Sequence, residues 1–380
     1  MGRLLVNHRT APVPASARPG PEVLAFHRRL AGYAPTQLVD LPAVAATTGV
    51  GRLLVKAEVE RFGLPAFKAL GAAWATYRIL CAQLGGEPEW STWDDLATVA
   101  ADRLGPLRLV AATDGNHGRA VAHVARNLRL AATILVPDGT AQARIDGIAS
   151  EDAEVVVVDG TYDDAVAASA ALASPRDLVV SDTSWPGYED PPRWVIEGYS
   201  TIFAELDDQL GTHGGWAGVD IVIVPLGVGA FGAAAVAHLR AGGEPGDGPM
   251  LLGVEPDSAA CCLAALEAGH VVEVPGPHRS IMAGLNCGLA SMLAFPTLAA
   301  GFDAIVTIDD DRCRDAIRAL AAAGLDAGEC GAAGVAALVE LAARHADAFP
   351  LPGGATVLVI ATEGVTDPAN FEAVVGRPPR

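Results

Sequence analysis

Lysine is what this sequence has least of. Of its 26 lysine and arginine side chains only two, Lys56 and Lys68, are lysines. Arginine keeps its proton at any accessible pH, whereas a lysine amine in apolar surroundings gives it up. A chain that uses arginine almost everywhere directs attention to the two places where it keeps an amine. Positive charge is short overall: the formal net charge is -19, with no Lys/Arg cluster that would neutralise a run of phosphates. That argues against nucleic acid as a principal partner. Charged residues make up only 19% of the 380 positions and hydrophobic ones 51%, so the chain is globular and long enough for two well-filled domains. The cysteines (Cys81, Cys261, Cys262, Cys287, Cys313 and Cys330) show no CxxC and no histidine at zinc spacing. Neither a metal site nor a disulfide framework is expected, and whether Cys261 or Cys262 pairs with Cys287 stays open. No long apolar segment follows Met1, so no signal peptide is expected. The longest uncharged run, 221–237, is broken by Pro225, Gly227, Gly229 and Gly232 into strand, loop and helix, which speaks against a membrane span. The expectation is a soluble, cytoplasmic protein.

Residues 1–35, rich in Pro and Arg, read as irregular wrapping. Residues 53–58 read as a buried strand that runs directly into Arg61-Phe62-Gly63-Leu64-Pro65-Ala66-Phe67-Lys68-Ala69-Leu70-Gly71. Lys68 lies at the start of a helix expected over 69–83, between Phe67 and Leu70. Desolvation there disfavours the ammonium and yields a nucleophilic amine, although an ordinary surface lysine at a helix start explains these eleven residues as well. Residues 85–88 break the pattern and 90–95 are turn-like, which places a domain crossing near 93. From Arg108 the chain alternates: strands at 109–112, 132–136, 155–158 and 178–181, with helices to about 129 and at 141–149 and 163–173. A Gly/Pro-rich connection at 185–192 follows. Strands at 220–225, 251–254 and 357–360 and helices at 233–241 and 331–344 complete the reading. Such alternation implies parallel sheets with covered faces. The fold class is α/β, two lobes each with a largely parallel sheet flanked by helices and a site between them at strand carboxyl ends. Residues 1–92 and 196–380 form the larger domain, and 93–195 the smaller one that carries Asn116.

Two further turns hold chemistry. Gly227-Val228-Gly229-Ala230-Phe231-Gly232 follows a strand and opens a helix, a context whose free N–H groups bind phosphate, though a tight turn alone explains it equally. It also fits GxGxxG formally, but the acid expected about 20 residues on falls at Glu244 or Asp247 in a Gly/Pro loop, so a nicotinamide-dependent oxidoreductase is the weaker reading. Thr113-Asp114-Gly115-Asn116-His117-Gly118 is a second strand-to-helix turn, with an amide at Asn116 and a carboxylate at Asp114 beside free N–H groups. Asp309-Asp310-Asp311 precedes a helix and reads as an N-cap, not as a metal cluster.

Taken together, Lys68, the Asn116 turn and the glycine turn resemble, in chain order, fold-type-II pyridoxal phosphate enzymes, the tryptophan synthase β-like superfamily. The similarity extends to the diaminopropionate ammonia-lyase family over roughly residues 37–370. Residues 61–71 resemble its RFGLNAFKxLGG, with Pro65 in place of the Asn. Residues 112–119 match ATDGNHGR, 182–188 resemble DTxWxGY, 281–288 IMAGLxCG, and 362–367 TEGxTD. The resemblance implies pyridoxal 5'-phosphate as cofactor, held by a Schiff base to Lys68 and contacted by Phe67. It places Asn116 on the phenolic oxygen, Gly227, Val228, Gly229 and Ala230 on the phosphate, and Thr362 beside the pyridine nitrogen. It implies α,β-elimination of ammonia from 2,3-diaminopropionate, giving pyruvate and ammonia, with Lys68 as base. Asp114, where the wider superfamily has an uncharged Ser or Thr, would hold or protonate the β-amine or take an α-proton. Asp182 has a similar implied role, with capping of the turn before Thr183-Ser184 as its alternative. Glu329 matches a family position near the site, or is a helix N-terminal acid. The alternative reaction is a β-elimination or β-replacement on another amino acid in a biosynthetic pathway. The implied partners are a small amino acid substrate and a second copy in a homodimer.

Overall fold

The computed structural model describes residues 2–113 and 115–380. Among them the strands are, in chain order, β1 (Leu4–Val6), β2 (Leu38–Asp40), β3 (Arg52–Ala57), β4 (Arg108–Ala112), β5 (Ala131–Pro137), β6 (Glu154–Val158), β7 (Asp177–Val179), β8 (Ile221–Pro225), β9 (Met250–Pro256), β10 (Ala304–Ile308) and β11 (Thr356–Ala361). They form two sheets in two compact units, the first made of residues 2–19, 35–60 and 202–380 and the second of 20–34 and 61–201.

The first unit's sheet runs β1-β10-β9-β8-β11-β3-β2. Its five central strands are parallel, while β1 pairs antiparallel with β10 and β2 antiparallel with β3 at the two edges. Every residue of β8 and β10 is buried, as expected of parallel strands covered on both faces; β8 reads as an unbroken apolar run, whereas β10, interrupted by Thr307, is a strand that the sequence reading did not include. One face packs Val55, Ile223, Val254, Val306 and Val359 with Ala333, Val335 and Leu338 of the alanine-rich Glu329–Arg344 helix. Small residues on that helix let it lie close to the sheet: a Cβ at Gly334 would stand 2.5 Å from Val359 Cγ1.

The second unit's sheet, β6-β5-β4-β7, is parallel throughout. Val110, Ala112, Leu135 and Val179 form its small core with Ala165 of the Tyr162–Ala171 helix. The expected α/β architecture is present, with its sheets largely parallel.

Local expectations fail where short segments borrow order from packing. Residues 1–35 are not simply irregular: they contain β1 and the Glu22–Arg29 helix, which buries Val23, Phe26 and His27. The turn-like stretch near 90–95 is the start of the Trp93–Leu104 helix, whose Thr92 and Asp95 form a reciprocal capping box. The connection at 185–192 gives way at Asp190 to a helix that runs to Gln209, because prolines are tolerated in a first helical turn. Asp309 does cap the Asp310–Ala322 helix, through Oδ1 and the Arg312 amide at 2.8 Å.

Candidate active site

Lys68 is delivered by a tight turn. Arg61 and Leu64 exchange backbone hydrogen bonds of 2.8 and 3.0 Å, with Phe62 and Gly63 at φ 57° and 75° between them. Two successive positive φ values define a type I′ turn, an unusual place for a phenylalanine. The chain then reaches Lys68, which stands at the N-cap of the Ala69–Leu84 helix in αR geometry. Its side chain is 21% exposed, and its Nζ donates to Asp182 Oδ2 at 2.8 Å. The same Nζ lies 5.6 Å from the Phe67 ring centroid and 5.7 Å from that of Tyr199.

Asp182 follows β7 and is buried. While Lys68 takes Oδ2, the Tyr162 hydroxyl donates to Oδ1 at 3.3 Å. The turn amide of Thr183 is served by Ser181 Oγ at 3.2 Å. Burial opposes ionisation of Asp182, but the Lys68 ammonium, then His117 and the hydrogen bonds from Lys68 and Tyr162, hold its carboxyl well below the usual range. The result is a buried carboxylate kept charged by its neighbours.

The loop that presents Asp182 is fixed from two sides. Tyr188 donates its hydroxyl to Val179 O at 2.8 Å and accepts from the Ser181 amide at 3.1 Å, and its ring stacks on Trp185 at 4.1 Å. Burial raises the Tyr188 phenol above its ordinary range, so it stays a neutral donor. From the other side, His117 Nε2 lies 2.8 Å from Val180 O, which makes Nε2 the protonated nitrogen. Burial is the main reason that the His117 pKa is lowered; Lys68 adds to it and Asp182 opposes it. His117 belongs to the first turn of the Asn116–Asn127 helix, which opens at Asn116 with Gly115 as N-cap at φ 153°. Asn116 thus sits where the sequence places it, at a helix start after β4. Asp114 lies outside the described residues.

The remaining expected residues belong to the first unit. Gly227, Val228 and Gly229 connect β8 to the Ala230–Arg240 helix. Gly229, the N-cap, has φ 95°, and a Cβ there would stand 2.5 Å from Leu298 Cδ1. A Cβ at Gly227 would be 3.1 Å from Gly284 O and 3.3 Å from Cys287 Sγ, while Gly232 is needed for packing against Leu226 and Leu298. The N-cap is a glycine with no side chain to cap this helix, and a helix N-terminus behind a glycine turn is a place where an anion binds. Thr362 directly follows β11. Its Oγ1 is buried and has no hydrogen-bond partner among the described residues, a donor-acceptor left for a group yet to arrive. A glycine cradle at a helix start and a buried Thr362 hydroxyl without a partner among the described residues fit the phosphate and ring nitrogen of a pyridoxal phosphate. Glu329 is the buried first residue of its helix, with Oε1 accepting from Asn370 Nδ2 at 2.5 Å.

Tyr162, His117, Tyr188 and Tyr199 were not singled out by sequence reasoning. His117 and Tyr188 lie inside quoted motifs, but nothing in their spacing tells a positioning residue from a packed one. Tyr162 begins its helix 20 residues before Asp182, and only the fold pairs the two.

The pattern of the pyridoxal-phosphate dependent enzyme family matches residues 30–363, and the chain belongs to that class. It is 35% identical to diaminopropionate ammonia-lyase of Escherichia coli (strain K12) over 92% of its own length and 89% of that enzyme's, and 34% identical to the Salmonella typhimurium enzyme over 94% and 91%. The crystal structure of the Escherichia coli enzyme in complex with an aminoacrylate-PLP azomethine reaction intermediate superposes with a TM-score of 0.88 at 31% identity, covering 99% of this chain and 97% of that one. Within its class the chain is a member of the diaminopropionate ammonia-lyase family.

Proposed function

We propose that this protein eliminates ammonia from 2,3-diaminopropionate in a pyridoxal phosphate-dependent reaction, taking up water to give pyruvate and a second ammonia. The observation that carries the reading is the buried, ionised Asp182 carboxylate 2.8 Å from Lys68 Nζ, in a chain of this family. Lys68 holds the cofactor covalently through Nζ, with Phe67 beside it. Asn116 bonds the phenolic oxygen, the amides of Gly227 to Ala230 take the phosphate, and Thr362 meets the ring nitrogen. When bound, the cofactor supplies the electron sink that acidifies the Cα proton.

The chain's own groups do the rest. Lys68, once its amine is released and neutral, is a base within reach of a Cα proton. A neutral amine no longer balances the charge of Asp182, and a buried carboxylate that loses its cation, with only the Tyr162 hydroxyl left to it, is disfavoured by several kcal/mol, on the order of 3–5. The second ammonium of a diamino acid restores the pairing; an ordinary amino acid has none to offer. Asp182 thereby selects the substrate, and the same carboxylate can take an α-proton or give one to the departing amine. Asp114 is the second carboxylate proposed for these roles. A carboxylate about 4 Å from a like charge is disfavoured by on the order of 4 kcal/mol at an effective dielectric of 20, which turns away substrates that lack the extra cation. No helix among the described residues is long and apolar enough to cross a membrane. The same reading carries a homodimer in the cytoplasm.

The test is direct. Purified protein supplied with pyridoxal phosphate and D- or L-diaminopropionate should release pyruvate and ammonia from at least one isomer, and Lys68→Ala should release neither. Absence of both products from both isomers, with the cofactor demonstrably bound, would overturn the assignment.

A further inference from the structure

Asp182 is one polar neighbour of Lys68, and the helix Asp190–Gln209 brings another. That helix crosses the start of the Ala69–Leu84 helix at a point where both chains carry glycine. A Cβ at Gly198 would stand 2.6 Å from Leu70 O and 2.7 Å from Gly71 Cα. A Cβ at Gly71 would stand 2.5 Å from Tyr199 Cε1 and 2.8 Å from its Cζ. The paired absence of side chains lets the Tyr199 ring slide over the first turn of the Lys68 helix. There it meets Phe67 edge-on at 4.8 Å and brings its ring centroid to 5.7 Å from Lys68 Nζ. Tyr199 is fully buried. A phenylalanine would fill the same apolar space, so the hydroxyl asks for a reason.

We propose that the Tyr199 hydroxyl is a positioning group for Lys68, engaging Nζ alongside the Asp182 carboxylate and setting the amine's orientation and basicity. Burial raises the phenol's own pKa, an effect that Asp182 reinforces and Lys68 opposes, so the hydroxyl is neutral at any working pH. A neutral hydroxyl accepts from an ammonium and donates to a free amine, so it serves Lys68 in either protonation state. The charged and titratable groups that bear on Lys68 include, among the described residues, Asp182 after β7, His117 at the start of the Asn116–Asn127 helix and Tyr199. The proposal rests on Lys68 as the reactive amine, and its test uses the protein without cofactor so that the two readings fail separately.

Because the chain has only Lys56 and Lys68, protein grown with 15N-lysine gives two side-chain amine signals, and fully buried Lys56 serves as internal control. Tyr199→Phe removes one acceptor from the Lys68 ammonium, so its protonation constant should weaken about tenfold while that of Lys56 stays put. A folded Tyr199→Phe whose Lys68 titrates as in the parent overturns the proposal. If that variant does not fold, Lys68→Met provides the reciprocal reading. With 13C at tyrosine Cζ, the Tyr199 resonance should move on this substitution, and an unmoved resonance is the overturning result. A weakened Lys68 in a protein that never binds pyridoxal phosphate would leave the tyrosine assignment standing and remove the enzymatic one.

Discussion

Asp182 pairs with Lys68 through one oxygen and accepts from Tyr162 through the other, and this gives the carboxylate a sign that can be tested. Its carboxyl titrates below the ordinary range in the folded protein, despite burial and because of the Lys68 ammonium. A depressed folded value means that its contribution to stability is complete above the unfolded value of about 4 and is lost as pH falls below it. Asp182→Asn should therefore be destabilised against urea by a constant margin between about pH 5 and pH 7, and the margin should shrink toward zero as pH falls below about 4. In the reaction the same variant should lose about 10²–10⁴-fold in kcat, the range of a displaced proton-transfer group. His117 has the opposite chemistry and shares the sign. Burial lowers its pKa, so the unfolded chain binds the proton that the folded one refuses. Stability should fall as pH drops below the unfolded value of about 6.5, and His117→Gln, which keeps a donor for Val180 O, should flatten that part of the stability-pH curve. A curve as steep in the variant as in the parent would place the titration elsewhere.

Among the elements, the turn after β8 shows how little of a motif is visible as letters. Its glycines answer three separate demands: close approach at Gly227, a left-handed residue at Gly229, and helix packing at Gly232. Gly229→Ala combines a positive φ with a Cβ 2.5 Å from Leu298 Cδ1, so it should cost about 2–4 kcal/mol of unfolding free energy and weaken retention of the cofactor. Gly246→Ala, at φ 90° with no atom within 4 Å of its Cβ, should show the backbone cost alone, about 1–2 kcal/mol, and spare the cofactor. Among the central strands of the first unit, β3, β8, β9 and β11 were legible because parallel strands covered on both faces are largely apolar, while β10, interrupted by Thr307, was missed. The edge strands β1 and β2 were not, since each is three residues long and takes its order from a neighbour already in place. The Trp93–Leu104 helix had a signal, Thr92 three residues before Asp95, obscured by two nearby tryptophans and a serine that read as a turn. For the site, residue types at strand-to-helix turns could be read off, and family patterns assigned them roles. The meeting of Lys68 with Asp182, 114 positions apart, follows only from the sheet order that sets β7 beside β4.

At the scale of the whole chain, the scarcity of lysine has two explanations rather than one. Lys56, fully buried on β3, is held by Glu205 Oε2 at 2.6 Å, Gln209 Oε1 at 2.9 Å and Thr36 O at 2.9 Å. Thr36 in turn donates to Glu58 at 2.5 Å, so two acids, a lysine, an amide and a threonine form one network within the first unit. An arginine has too large and too flat a head for a site that presents three acceptors around a point, whereas an ammonium matches it. Lysine was kept here for shape, and at position 68, on the present reading, for a proton that can leave. The two uses make different predictions for turnover. Lys68→Met should abolish turnover and also lower stability, because the buried Asp182 carboxylate loses its cation, though by less than at Lys56 since the Lys68 side chain is partly exposed and water offsets part of the cost. Lys56→Met should strand the Glu205 carboxylate in the interior and lower stability by about 3–5 kcal/mol, while any protein that remains folded keeps its turnover per cofactor. Adding Glu205→Met to it should recover more than half of that loss, since an apolar pair of similar volume replaces the charges together. Urea unfolding of the single and double variants checks this, and a double variant no more stable than Lys56→Met would mean that the network, rather than the charge pair, holds β3 to the Asp190–Gln209 helix.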